Sequence, residues 1–125
     1  MRLALDDTRV GCHSAPECEL RDLVRTSTFL PEPAWNRPLP GTSDGVVIPD
    51  ACWPEARVVV EIDSAEWHRM GDLVEQTERR RARCAALGWT VLSISPRRLR
   101  EDRIAVLSEI ESAVLAGFRR GAVAV

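Results

Sequence analysis

Pro49-Asp50-Ala51-Cys52-Trp53-Pro54-Glu55-Ala56-Arg57-Val58-Val59-Val60-Glu61-Ile62-Asp63 is the stretch on which the fold turns. Pro54-Glu55-Ala56 interrupts a run that otherwise has strand composition, so two strands, over 46–53 and 57–63, are expected to fold back on each other. With the turn centred on Glu55 or Ala56, facing positions have numbers that sum to about 110–111. That register sets Asp50 opposite Val60 or Glu61. Side chains alternate along a strand, so Val58, Val60 and Ile62 share one face, and Val59, Glu61 and Asp63 the other. Opposed like charges cost stability on a sheet. Asp50, Glu61 and Asp63 after three valines make best sense if a hard divalent cation, Mg²⁺ or Mn²⁺, offsets their repulsion. The competing reading is a strand end that emerges into solvent, with Glu61 and Asp63 as ordinary surface acids.

Outward from this hairpin, the pattern alternates helix and strand. Ser14 with Glu17 three residues on forms a capping-box signal, and Pro16 falls in the first turn. Leu20, Leu23, Val24 and Ser27 then supply one face of a helix over 15–27, stopped by Pro31 and Pro33. Residues 34–39 have the character of a short strand, and Ser43-Asp44-Gly45 of a turn. On the other side, Asp72 and Glu75 form a second capping box for a helix that ends at Leu87-Gly88. A strand over 90–95, a helical turn at Ser95-Pro96 and a helix over 102–118 follow. The last helix presents Ile104, Leu107, Ile110, Val114 and Phe118 as its expected buried stripe. The order is α-β-β-β-α-β-α, an α/β domain over 14–118 between an arm or linker remnant (1–13) and a tail (119–125).

Composition fits one small domain: 125 residues, 45% hydrophobic, net charge −2. Neither a leader peptide nor a membrane span is expected, because no apolar run is long enough. The cysteines Cys12, Cys18, Cys52 and Cys84 lack C-x-x-C spacing, which fits a reducing, cytoplasmic setting and argues against a disulfide framework. Cys12, His13 and Cys18 match no zinc pattern and read as structural. The charge is polarised: residues 1–65 carry −5 and residues 66–125 carry +3. Such a division suits carboxylates that hold metal and arginines that meet phosphate. There is no lysine, which excludes any mechanism that needs one.

Pro49-Asp50, then Glu61-Ile62-Asp63, resembles the motif of the PD-(D/E)xK nuclease superfamily. With Pro54-Glu55-Ala56-Arg57, His68, and an arginine-rich segment running into Leu87-Gly88-Trp89 before a strand, the chain is similar to the very-short-patch-repair-like branch of actinobacterial type. The likeness covers roughly residues 14–117. It implies a restriction-endonuclease-like αβββαβα core, with a mixed four-stranded sheet between helices, and a metal-dependent endonuclease activity on DNA. It also implies a possible winged-helix partner, as in abortive-infection antitoxins. The chain departs from the pattern in two places. Asp63 stands at the superfamily's lysine position, as in the branch itself, and Ser64 stands where the branch has glycine.

Further residues enter the expected site. His68 would move a proton to or from the attacking water or the leaving oxygen. Glu17 shares a helix face with Leu20 and Val24; it is either a capping residue or, as the resemblance implies, a fourth metal ligand. Leu73, Thr77, Arg80, Cys84 and Leu87 follow helical spacing, so Arg80 points inward, where a guanidinium needs an anionic partner. Arg79 and Arg83 lie on a neighbouring exposed face and suit phosphate contacts. Arg97, Arg98, Arg100 and Arg103 form a weaker basic group among acids. Of the tryptophans, Trp53 and Trp89 are expected in the core, and Trp67 as a base-stacking platform beside the site. The expectation is a Mg²⁺- or Mn²⁺-dependent DNA hydrolase, with Asp50, Glu61, Asp63, His68 and Arg80 in catalysis. Its alternative is a non-catalytic regulatory or DNA-associated module of an antitoxin-like protein that keeps the fold.

Overall fold

A computed structural model describes residues 14–39, 48–63 and 71–123; at 71–74, 76, 77, 122 and 123 it describes the backbone alone. The elements run α1 (Ala15–Arg25), β1 (Ala34–Trp35), β2 (Ala51–Trp53), β3 (Val58–Ile62), α2 (Gly71–Ala86), β4 (Thr90–Ile94), α3 (Pro96–Glu101) and α4 (Arg103–Val123). The four strands form one mixed sheet in the order β1-β2-β3-β4, antiparallel except for the parallel pair β3–β4. The helices flank the sheet, α2 bridging the parallel pair as such a crossover requires. Among the described residues no helix is long and apolar enough to cross a membrane.

Each boundary has a local cause. Ser14 Oγ accepts a 3.3 Å hydrogen bond from Glu17 N, and Pro16 occupies the first turn of α1. The β2–β3 turn is closed by Ala56 N donating to Trp53 O and Arg57 N to Pro54 O, both at 3.1 Å. Arg57 leaves it with φ of 55° and is therefore outside the strand expected to include it. The end of α2 is a Schellman motif: Trp89 N donates to Cys84 O and Gly88 N to Ala85 O. Gly88 has φ of 89°, the left-handed conformation this motif asks of its glycine. Trp89 and Cys84 then pack in the same apolar cluster.

Two cores lie on the two faces of the sheet. Ala51, Trp53, Val58, Val60 and Ile94 pack against Leu20, Leu23 and Val24 of α1, Leu99 of α3, and Val106, Ile110 and Val114 of α4. On the other face Cys52 and Val59 meet Cys84, Trp89 and Leu39. The expected alternation of Val58 and Val60 against Val59 holds in full. Trp53 and Trp89 are both core residues, and Trp53 Nε1 donates to Pro31 O at 2.8 Å. α4 comes so close to the β2–β3 turn that a Cβ at Gly117 would overlap the carbonyl of Ala56.

Some expectations need correction. Ile104 is 87% exposed; the buried stripe of α4 runs through Val106, Ile110, Val114 and Gly117. Two residues before Val106, Ile104 sits about 200° around the helix and faces outward. The same helix continues to Val123, beyond 118. Leu87 is exposed, because it lies where α2 unwinds into its Schellman turn. Asp72 is inside α2 rather than ahead of it, and Glu75 pairs with Arg79, one turn on. β1 is only Ala34–Trp35, because Asn36 turns the chain with φ of 50°, and β2 is only Ala51–Trp53. The turn at Ser43-Asp44-Gly45, the arm over 1–13 with Cys12 and His13, and Ser64, Trp67 and His68 lie outside the described residues.

Candidate functional site

The hairpin register is Ala51↔Val60, Cys52↔Val59 and Trp53↔Val58. Continued by one residue, it sets Asp50 beside Glu61, one of the two partners expected from the turn. Asp50 lies just ahead of β2, where its Oδ2 accepts a 2.7 Å hydrogen bond from the backbone N of Ile62. This bond ties the end of one strand to the next. It also fixes the carboxyl over the ladder position where β2 stops.

Burial pushes the Asp50 carboxyl up from its ordinary 3.8 to about 6, and the carboxylates of Glu17 and Glu61 add to the effect. The hydrogen bond from Ile62 and the charge of Arg80 oppose it without cancelling it. Asp50 is thus a half-buried acid short of positive neighbours, a condition that a site for a cation shares.

Glu61 is a buried residue of β3, its side chain 9% exposed. Its Oε1 lies 3.0 Å from Arg80 Nη2. Its Oε2 is buried without a hydrogen-bond partner among the described residues, 3.8 Å from Arg81 Nε. Arg81 instead turns its Nη2 to Asp63 Oδ1, at 2.6 Å. Asp63 follows β3, and its backbone N donates to Ile94 O, which extends the parallel pairing with β4 by one residue. Arg80 and Arg81, from α2, therefore cover the carboxylates that β3 presents on that face.

Glu17 is buried on the inner face of α1, and Asn36 Nδ2 donates to its Oε1 at 2.6 Å. Asn36 also donates its backbone N to Asp50 O at 3.1 Å, so the same residue links α1 to the chain entering β2. Nearby, the buried Arg21 places its guanidinium 4.6 Å from the centre of the Trp35 ring.

The structure thus brings Asp50, Glu61, Asp63 and Arg80 to one end of the sheet, with Glu17 near enough to act on Asp50. Among the described residues, however, no three His, Cys, Asp or Glu side chains converge as a ready metal cage. Arg79 and Arg83 are exposed, with Arg79 3.3 Å from Glu75. Arg97 and Arg98 are taken up by Glu101 and Glu109. Cys84, on the Arg80 face of α2, is a buried thiol whose pKa is raised by burial and by Glu61.

Two participants were missed from sequence. Arg81 stands three residues before the buried Cys84, a spacing that fits the inward face of α2 as well as Arg80 does. That signal was available. Asn36 had none, since its role depends on a left-handed backbone turn and on where α1 crosses the sheet.

Two uncharacterized proteins of Mycobacterium tuberculosis, MT2308 and Rv2248, are similar to this chain, each 35% identical over 81 residues. The match takes in 65% of this chain and 30% of each relative, so the chain spans less than a third of the curated proteins it matches. No family model matches the sequence, and no solved structure matches it.

Proposed function

We propose that this chain is a restriction-endonuclease-like domain of the very-short-patch-repair-like kind, a cytoplasmic hydrolase that cuts or nicks DNA phosphodiester bonds with Mg²⁺ or Mn²⁺. One observation carries the reading: Glu61, nine-tenths buried, keeps an Oε2 without a hydrogen bond among the described residues, and it neighbours Asp50, a carboxyl that its surroundings leave short of positive charge. Two hard oxygen donors in that condition fit a divalent cation. Asp50 and Glu61 would hold it, and Asp63 and Glu17, each now engaged by Arg81 and Asn36, would complete the set or orient water. When bound, the cation supplies Lewis-acid chemistry: it acidifies water and offsets charge on the phosphate.

The chain's own residues have separate tasks. Arg80, now on Glu61 Oε1, would offer its guanidinium to the anionic phosphate oxygens. His68 moves the proton that no lysine is present to handle. Arg79 and Arg83 hold flanking phosphates, and Trp67 stacks on a base. The mixed sheet between helices, in the α-β-β-β-α-β order, supports this reading. The greater length of the two relatives leaves room for a winged-helix segment, joined or in trans.

A second reading, a non-catalytic DNA-associated module of an antitoxin-like protein, is favoured by the arginines: Arg80 and Arg81 already neutralise Glu61 and Asp63. Plasmid nicking decides between the two. The nuclease reading expects nicking that needs Mg²⁺ or Mn²⁺ and is lost in Asp50→Ala and Glu61→Ala. Its refutation is a wild-type protein that neither nicks nor gains thermal stability from millimolar metal.

A further inference from the structure

We propose that Arg81 is an internal placeholder cation, which holds the carboxylates of Asp63 and Glu61 in the metal-free protein and gives way when a divalent cation binds. This rests on the metal-site reading above and adds a competitor within the chain for the same oxygens. Arg81 Nη2 lies 2.6 Å from Asp63 Oδ1, while its Nε reaches toward Glu61 Oε2 and stops at 3.8 Å, too far for a hydrogen bond. Both that Nε and that Oε2 are buried without hydrogen-bond partners among the described residues. The guanidinium thus spans two acids and satisfies one of them. That is a poor arrangement for a permanent structural ion pair, since a buried Nε and a buried Oε2 left without hydrogen bonds carry their desolvation cost unrelieved.

Arg80 differs. It takes Glu61 Oε1 at 3.0 Å and leaves Oε2 untouched, so a cation at Oε2 has no quarrel with it. Arg81 does stand in the way, because Asp63 Oδ1 and Glu61 Oε2 are the oxygens it covers. Its side chain is one-third exposed, 33%, and a long arginine stem can swing out without disturbing the buried face of α2. The device has a physical reason: acids gathered for a cation repel one another when it is absent, and a retractable guanidinium keeps the empty arrangement folded.

The test is Mn²⁺ binding measured by calorimetry on the full chain, without nucleic acid, for wild type, Arg81→Gln and Arg97→Gln. Removing a charge-assisted competitor should tighten Mn²⁺ binding about tenfold in Arg81→Gln. Arg97→Gln, which removes the same charge from an exposed position, should stay within about twofold. In an Asp63→Asn background the Arg81→Gln effect should vanish. A readout free of variants comes from NMR: Mg²⁺ should shift the Arg81 Nε–H signal and accelerate its exchange, and leave that of Arg97 in place. If wild type binds Mn²⁺ while Arg81→Gln binds equally or more weakly and the Arg81 signal stays put, the placeholder is overturned and the metal site stands. If neither protein binds Mn²⁺, both are overturned.

Discussion

Replacing Asp50 by asparagine should make the metal-free protein more stable at neutral pH, although it removes a residue at the centre of the candidate site. The carboxyl is held near 6 against an ordinary 3.8, first by burial and then by Glu17 and Glu61. That gap corresponds to about 3 kcal/mol of preference for the protonated form in the folded chain. The sign follows from proton binding. Below the unfolded value, near 3.8, both states are protonated and no penalty exists; between there and 6 the folded state binds more protons, so stability falls as pH rises; above 6 the penalty is complete. Asparagine keeps an oxygen to accept from Ile62 N, as Oδ2 does now at 2.7 Å, and sheds the charge. Urea unfolding followed by tryptophan fluorescence, in chelator, should show Asp50→Asn about 1–3 kcal/mol more stable than wild type at pH 7.5. At pH 4 the difference should nearly disappear. Saturating Mn²⁺ should return the advantage to wild type, since only wild type binds it. An Asp50→Asn protein that is less stable at pH 7.5, or whose gain is the same at pH 4, would refute the reasoning.

Two further outcomes concern the scaffold. Gly117→Ala should destabilise by about 1–3 kcal/mol in spite of alanine's higher helix propensity, because its Cβ meets the Ala56 carbonyl; a thermal midpoint at or above wild type would contradict the close approach of α4 to the turn. Ser14→Ala, which removes the acceptor for Glu17 N, should cost about 1 kcal/mol by chemical unfolding, and an unchanged midpoint would show that α1 does not depend on this cap.

Much of the architecture and the nucleus of the site could be read along the chain, because both depend on short-range rules. A four-residue turn after Trp53 leaves few registers open, so Asp50 had to come beside Val60 or Glu61; Ala51↔Val60 settles it one residue from Asp50. The two-residue period put Val59 and Glu61 on one face, and the helical period turned Arg80 toward it. Tertiary packing decided the rest. The Schellman turn and the burial of Cys84 set the rotation of α2, and that rotation brings Arg81 to Asp63 while it leaves Leu87 outside. A fresh helix start after Asp102 set the phase of α4 and exposed Ile104. Glu17 acts on Asp50 only because α1 packs against the sheet and Asn36, which turns left-handed, bonds to it. Periodicity determines which side of its own strand or helix a residue takes; how elements rotate and approach one another, and therefore which acid is left without a partner, is settled only when their apolar faces pack.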